Sequence, residues 1–75
     1  MKYIFGKRIG YNDGHFWRGG HELNDALGAA YGCNGEQGIA RQGIARIRGY
    51  DIYRTDAGQL VAVSCLDAYQ VEEVA

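Results

Sequence analysis

The chain has 75 residues, of which 47% are hydrophobic, and its eight Lys and Arg against nine Asp and Glu give a formal charge of -1. A chain of this length predicts one domain spanning residues 1–75, which is too small to enclose a deep active-site cavity. The balanced charge argues against a dedicated nucleic-acid-binding protein, whose surface is strongly positive. The apolar run near the N-terminus is too short and too interrupted for a secretory or membrane-spanning segment, so we expect a cytoplasmic protein.

Two β-prone runs joined by a turn begin the chain. Tyr3, Phe5 and their neighbours form the first run, and residues 15–18 form the second. Asn12-Asp13-Gly14 lies between them and favours a tight reversal, because glycine adopts positive φ without steric cost. This pattern predicts an N-terminal β-hairpin.

Two helices are predicted in the middle of the chain. Residues 22–31 have apolar side chains at the i, i+3, i+4, i+7 spacing of an amphipathic helix, and Gly32 fits the left-handed position that ends it. Residues 36–48 place three apolar side chains on one helical face, with arginine and glutamine side chains beside them. Internal glycines disfavour this second helix, so we expect it to depend on tertiary packing.

A second hairpin has the strongest signal in the chain. The β-prone runs 50–54 and 59–65 flank Thr55-Asp56-Ala57-Gly58, where Gly58 is expected at positive φ. The second of these runs is apolar without strict alternation. It is therefore predicted to be a central strand that is buried on both faces.

The tail, residues 67–75, is compatible with an added edge strand or with a short helix capped by Asp67, with Gln70 at the third helical position. We favour the helix. The complete order is then β-β-α-α-β-β-α. It predicts an α+β fold in which a small antiparallel sheet of two hairpins carries two central helices packed on one face.

No residue pattern indicates catalysis or a bound metal. The spacing of Cys33 and Cys65 matches no zinc site, and neither does that of His15 and His21. The carboxylates near the histidines in sequence, Asp13, Glu22 and Asp25, are common surface types in turns and first helical turns and give no catalytic signal. We therefore expect a non-enzyme with no cofactor and no metal, and we expect both cysteines to be reduced and partly buried.

Three consecutive stretches, "ELNDALGAAYGC", "GEQGIARQGIARIRGYDIYR" and "TDAGQLVAVS", have the order of a first helix, a candidate recognition helix and a hairpin wing. In the order of these elements and in their residue types, residues 23–64 resemble the winged helix-turn-helix domains of phage and bacterial regulators. That resemblance implies DNA binding, in which Arg and Gln side chains read bases and the wing contacts phosphate. The residues it assigns to DNA are Gln37, Arg41 and Gln42 on the helix, and Arg54 and Thr55 on the wing.

The aromatic side chains predict a protein-binding surface instead. Tyr, Trp and Arg are enriched at binding hot spots, and a domain of this size cannot bury all six tyrosines and the tryptophan. Side chains in or beside the hairpins are the candidates for exposure, and acidic side chains could engage a basic partner surface. The candidate partner-binding residues are Tyr11, Trp17, Tyr53, Asp51, Asp56, Asp67, Glu72 and Glu73.

A small, proline-free, single-domain chain without a catalytic pattern resembles the small accessory proteins of bacteriophages, of which the anti-CRISPR proteins are one class. This resemblance rests on size and composition and carries over no residues. It implies a stoichiometric inhibitor that acts in the cytoplasm of a bacterial host and binds a host protein or nucleoprotein complex. We therefore predict a non-enzymatic, protein-binding inhibitor of a host defence complex, with a winged-helix DNA-binding regulator as the alternative.

Overall fold

The computed structural model describes residues 2–32 and 40–74, which form six β-strands and one α-helix. In chain order the elements are β1 (Lys2–Asn12), β2 (Trp17–Gly19), α1 (His21–Tyr31), β3 (Ala45–Ile47), β4 (Tyr50–Arg54), β5 (Leu60–Val63) and β6 (Asp67–Val74). All neighbouring strands are antiparallel, and they form one sheet in the order β2-β1-β6-β5-β4-β3. The helix α1 packs on one face of this sheet.

Both predicted hairpins are confirmed. β1 pairs with β2, and Gly14 in the turn between them has a φ of 101°. β4 pairs with β5, and Gly58 in their turn has a φ of 84°, as expected. Each turn depends on a backbone conformation that residues with a side chain rarely adopt.

The first helix is confirmed, with its first residue at His21. It ends at Gly32, whose φ is 87° and whose N–H donates to the carbonyl oxygen of Gly28 at 2.9 Å. One stripe of the helix is buried against the sheet, and the two sets of side chains form the first core. The helix contributes Leu23, Ala26, Leu27 and Ala30, and the sheet contributes Ile9, Tyr53, Val61, Val63 and Ala68.

The opposite face of the sheet, which α1 does not cover and which we call the outer face, has its own apolar cluster. Its buried members are Ile52, Leu60, Ala62 and Val71, and its partly buried members are Tyr3, Phe5, Ala45, Ile47, Tyr50 and Tyr69. The rings of Phe5, Tyr50 and Tyr69 pack with centroids 5.2 to 5.8 Å apart. Because β5 lies between these two clusters, it is buried on both faces, as predicted.

The prediction of a second helix over residues 36–48 is wrong for its described part. Residues 40–44 are not helical and Ala45–Ile47 forms the edge strand β3, whereas residues 36–39 lie outside the described part of the chain. The N–H of Ile44 donates to the carbonyl oxygen of Ile52 at 2.8 Å, so the backbone here pairs with β4. The glycines that disfavour a helix also permit this close approach, since a methyl group on Gly43 would lie 2.7 Å from that same oxygen.

The prediction of a C-terminal helix is also wrong. Asp67–Val74 forms the strand β6, which lies between β1 and β5. Ala68 packs in the first core and Val71 in the outer-face cluster, so the strand is buried on both sides. The fold is therefore a six-stranded antiparallel sheet with one helix among the described residues. It is not a small sheet of two hairpins with two central helices.

Candidate functional site

An exposed group of arginines and aromatic rings lies on the outer face of the β1–β2 hairpin. Arg8 pairs with Tyr69 across β1 and β6, and Tyr11 pairs with Arg18 across β1 and β2. Since cross-strand partners project to the same face, Arg8 shares the outer face with Tyr69. The guanidinium carbon of Arg8 lies 4.9 Å from the centre of the Tyr11 ring, and that of Arg18 lies 5.8 Å from the centre of the Phe16 ring. We call Arg8, Tyr11, Phe16 and Arg18 the arginine–aromatic ladder.

The ladder is open to solvent. Phe16 is 67% exposed, Tyr11 is 41% exposed, and the side chain of Arg18 is 59% exposed. Leu66, at 68% exposure, lies beside the hairpin because the N–H of Asn12 donates to its carbonyl oxygen at 2.7 Å. Exposed aromatic and aliphatic side chains grouped with arginines are typical of binding hot spots.

Asp13 holds the turn that presents the ladder. Its Oδ1 accepts hydrogen bonds from the N–H groups of His15 and Phe16, each at 2.8 Å, and its Oδ2 accepts one from Arg18 Nε at 2.8 Å. These bonds, of which the one from Phe16 has the largest effect, favour the ionised carboxylate and lower the pKa of Asp13 to about 2. The same contacts raise the pKa of Arg18. One carboxylate thus fixes Phe16 and Arg18 relative to each other.

A second polar group joins the ladder to the aromatic rings of the outer face. Asp67 lies opposite Tyr11 in the sheet and accepts a hydrogen bond from the Tyr50 hydroxyl at 2.6 Å. The Ser64 hydroxyl also donates to this carboxylate, at 3.2 Å. The hydrogen bond to Asp67 stabilises the neutral phenol and raises the pKa of Tyr50 to about 12. The outer face is therefore one continuous surface from Tyr50 to the ladder.

Basic residues are concentrated on this hairpin. Half of the eight Lys and Arg, and only one of the nine Asp and Glu, lie within residues 2–19. The basic ones are Lys2, Lys7, Arg8 and Arg18. The acidic one, Asp13, is already paired with Arg18. A nearly balanced total charge thus conceals a basic hairpin on an otherwise acidic chain.

The five acidic residues predicted to bind a partner do not converge on one surface. Asp51 lies on β4 and Asp56 in the turn that follows it. Glu72 and Glu73 are adjacent on β6, so their side chains project to opposite faces of the sheet. Only Asp67, at the other end of β6, adjoins the ladder, and its carboxylate is already hydrogen-bonded there.

The three aromatic residues predicted to bind a partner have different environments. Tyr11 belongs to the ladder, whereas Trp17 is half-buried and packs against the first core. Tyr53 is 5% exposed, and its hydroxyl donates to the carbonyl oxygen of Arg41 at 2.7 Å. The prediction for Tyr53 conflicts with this burial, because a partner has no access to a ring inside the core.

Of the residues predicted to contact DNA from a recognition helix, the two that the structure describes are not helical. Gln37 lies outside the described residues, and Arg41 and Gln42 belong to the non-helical segment before β3. The N–H of Arg41 donates to the carbonyl oxygen of Ala30 at 2.8 Å, which ties this segment to the end of α1.

Two of the DNA candidates do lie together. Arg41 and Arg54 line a groove of about 390 Å3 beside α1, but Asp25 and Asp56 line it as well, so its charges offset one another. The Thr55 hydroxyl is not available to contact phosphate. Thr55 is 5% exposed, and its Oγ1 accepts a hydrogen bond from the N–H of Gln59 at 3.1 Å.

The other reactive side chains are dispersed. His21 Nε2 lies 3.5 Å from Asp25 Oδ2 on the solvent side of α1, where the histidine side chain is 88% exposed. Cys65 is exposed, which corrects the expectation of partial burial, and Cys33 lies outside the described residues. Within residues 2–32 and 40–74, no three His, Cys, Asp or Glu side chains are grouped so as to bind a metal. In the same part of the chain, no helix has the length and apolar character needed to cross a membrane.

No protein-family model, no curated protein and no solved structure matches this chain. Its function is therefore inferred from the geometry of the ladder.

Most of the ladder was not predicted from the sequence. Arg8 and Tyr11 are three residues apart, and in a regular strand they would face opposite sides. They share a face because the register of β1 against β6 shifts between Arg8 and Gly10. Phe16 lies in the turn and not in the strand to which its β-prone neighbours pointed. The sequence did contain one signal of this site. Asp13 and Arg18 lie at the two ends of the turn, a spacing that allows an ion pair across it.

Proposed function

We propose that this protein is a non-enzymatic protein-binding module that contacts its partner through the arginine–aromatic ladder and the adjoining Leu66. The observation that carries the proposal is the exposure of Phe16 and Tyr11 beside two arginines on a single hairpin, with the exposed Leu66 next to it. Full burial of one large apolar side chain contributes about 1.5 to 3 kcal/mol. Three such side chains close together offer apolar surface that a partner can bury.

The ladder is also ordered before any partner arrives. Asp13 fixes the turn through three hydrogen bonds, and the guanidinium groups lie against the rings that they accompany. Ordering a flexible side chain on binding costs roughly 0.5 to 1.5 kcal/mol, and a preformed surface avoids part of that cost. The two arginines favour a partner surface with acidic groups around an apolar centre.

The narrower form of the proposal is an inhibitor of a bacterial defence nucleoprotein complex. What supports it is the resemblance to anti-CRISPR proteins in size and composition. The geometry adds one constraint on that partner. The surface it presents to this chain is expected to be acidic, because the predicted acidic binding residues are scattered and the exposed aromatic residues lie on the basic hairpin.

A nucleic acid is the competing partner, since arginine and aromatic side chains also bind bases by stacking. Two features favour a protein. The rings of Tyr11 and Phe16 already have guanidinium groups near them, at 4.9 and 5.8 Å from the ring centres, so a base would have to displace these contacts. The described part of the segment predicted as a recognition helix is not helical.

Capture of a partner from bacterial lysate by the immobilised protein tests the proposal. We expect the double variant Phe16→Ala, Leu66→Ala to lower capture at least tenfold, because each truncation removes a hot-spot contact worth about 1 to 2 kcal/mol. Both side chains are largely exposed, so the fold should tolerate their removal. Nuclease treatment of the lysate should leave capture unchanged.

Ile44→Ala is the matched control, because Ile44 is 58% exposed and lies beside β3 at the opposite edge of the sheet. This variant should capture the partner as the wild type does. Equal capture by the double variant and the wild type would contradict the proposal. Loss of all capture after nuclease treatment, together with binding of purified nucleic acid by the immobilised protein, would assign the chain to nucleic acid instead.

A further inference from the structure

In the described part of the chain, the outer edge of β1 is unpaired for most of its length. On one side β1 pairs with β6 from Lys2 to Tyr11, and on the other it pairs with β2 only through Gly10, Tyr11 and Asn12. Among the described residues, no strand pairs with this second side of β1 between Lys2 and Ile9. A free edge presents unpaired backbone N–H and C=O groups, which favour pairing with another strand.

This edge combines basic ends with an apolar centre. β1 contains Lys2, Lys7 and Arg8 and no acidic residue. Lys7 is partly neutralised by Glu22, with 3.4 Å between Nζ and Oε1. Between the basic positions lies Ile4, which is 51% exposed and is flanked by half-buried aromatic side chains.

We propose that the partner contributes an extended acidic segment, which adds to the outer edge of β1 as a seventh strand of the sheet. Apolar side chains of this segment would lie beside Ile4, and its carboxylates beside Lys2 and Arg8. This inference rests on the proposed function, because it names the part of the protein partner that binds. Arg8 belongs to both the edge and the ladder, so a strand bound at the edge ends next to the ladder.

The basic side chains and unpaired backbone groups of this edge favour one class of binding partner over others. A second copy of this chain would bring its own three basic residues against the same edge, and like charges on paired strands are destabilising. A nucleic acid could meet the charges but cannot pair with the backbone N–H and C=O groups of a strand. The carboxylates of an acidic peptide can pair with the basic side chains, and its backbone can pair with the N–H and C=O groups of the edge.

The added strand is expected to be short. The register of β1 against β6 shifts after Phe5 and again after Arg8, and such bulges twist a strand away from regular pairing. The added strand is therefore expected to pair regularly with β1 only along Lys2–Phe5. Its contact with Arg8 is made by side chains.

Titration of the full chain with a synthetic peptide, followed by amide NMR shifts, tests the inference. The probe has alternating valines and threonines flanked at each end by two glutamates. We expect it to shift the amide signals of residues 2–8 and to slow hydrogen exchange at those N–H groups of residues 2–5 that face the free edge. Two comparison peptides should not do so: one with lysines in place of the glutamates, and one with N-methyl groups on two consecutive central residues, which blocks pairing on both peptide edges.

Two charge-reversed variants distinguish edge binding from general attraction. Lys2→Glu should weaken binding of the acidic peptide about fivefold, the effect of losing roughly 1 kcal/mol from an exposed ion pair. Arg48→Glu makes the same change in net charge in the turn between β3 and β4, at the opposite edge of the sheet, and should leave the affinity unchanged. An equal loss in both variants, or equal binding of the N-methylated peptide, would overturn the inference.

The remaining outcomes separate this inference from the proposed function. If the acidic peptide does not bind while capture from lysate still depends on Phe16 and Leu66, only the added strand is overturned. If a single-stranded thymidine oligonucleotide shifts the same amides and the peptide does not, the edge binds nucleic acid and the inference is wrong.

Discussion

Gly19 sets how closely the first hairpin packs against α1. A methyl group at this position would lie 2.6 Å from the carbonyl oxygen of Ile9 and 2.7 Å from Leu23 Cδ2. Both neighbours are held in place, since Ile9 lies within β1 and Leu23 is 2% exposed in the first core. Because Gly19 has no side chain, β2, and with it Arg18, can lie close to β1 and α1.

Gly19→Ala is expected to lower the free energy of unfolding by about 1 to 3 kcal/mol, the usual cost of overpacking. Gly28→Ala is the matched control, because the added methyl group would lie on α1 with no atom within 4 Å apart from its chain neighbours and the helix's own backbone. That variant should gain about 0.4 to 1 kcal/mol, since alanine restricts the unfolded chain and favours the helix. Urea denaturation measures both, and equal midpoints for the two variants would refute this packing.

Single residues were predictable where one conformation demands one residue type. Gly32 and Gly58 were expected in the left-handed region from their neighbours alone, and both are found there. Burial of a tyrosine was not predictable in the same way. Tyr11 and Tyr53 both lie in β-prone runs next to turns, and only the pairing of their strands decides that one is exposed and the other is in the core.

The turn of the first hairpin is an element whose stability should depend on acid. The folded chain lowers the pKa of Asp13 from 3.8 to about 2, so the unfolded chain binds a proton more readily than the folded one. The contribution of Asp13 to stability is therefore fully present above about pH 4 and is lost as the pH falls towards 2. Asp13→Asn removes this titration.

We expect the denaturation midpoint of the wild type to fall more steeply between pH 4 and pH 2 than that of Asp13→Asn. At neutral pH the variant should be the less stable of the two, because it loses the ion pair with Arg18. Urea denaturation at several pH values gives both comparisons. Parallel pH profiles would show that the carboxylate does not hold the turn.

The elements that were predicted correctly have local signals, and the wrong ones do not. Glycine turns define both hairpins, and α1 has a complete apolar stripe. Residues 40–47 offer apolar side chains at spacings that fit either a helix or a short edge strand, and pairing with β4 decides between them. Residues 67–74 lack an alternating pattern because β6 is buried on both faces, at Ala68 on one side and Val71 on the other.

At the scale of the whole molecule, charge and apolar surface are unevenly distributed. The single described helix covers one face of the sheet, and the aromatic cluster partly covers the other, so the ladder remains the exposed end of the outer face. The total charge of -1 does not reveal this distribution. The charge divides into a basic first hairpin and an acidic remainder. This division indicates a binding surface only because the hairpin presents its side chains together.

Hydrogen–deuterium exchange, read by mass spectrometry on the free chain and on the captured complex, tests the ladder as the binding surface most directly. We expect the partner to slow exchange in residues 2–18 and in the turn around Leu66, and to leave α1 and β4 unchanged. Exchange slowed instead along α1 and around Arg41 and Arg54, with the first hairpin unaffected, would contradict the assignment of the binding surface to the ladder.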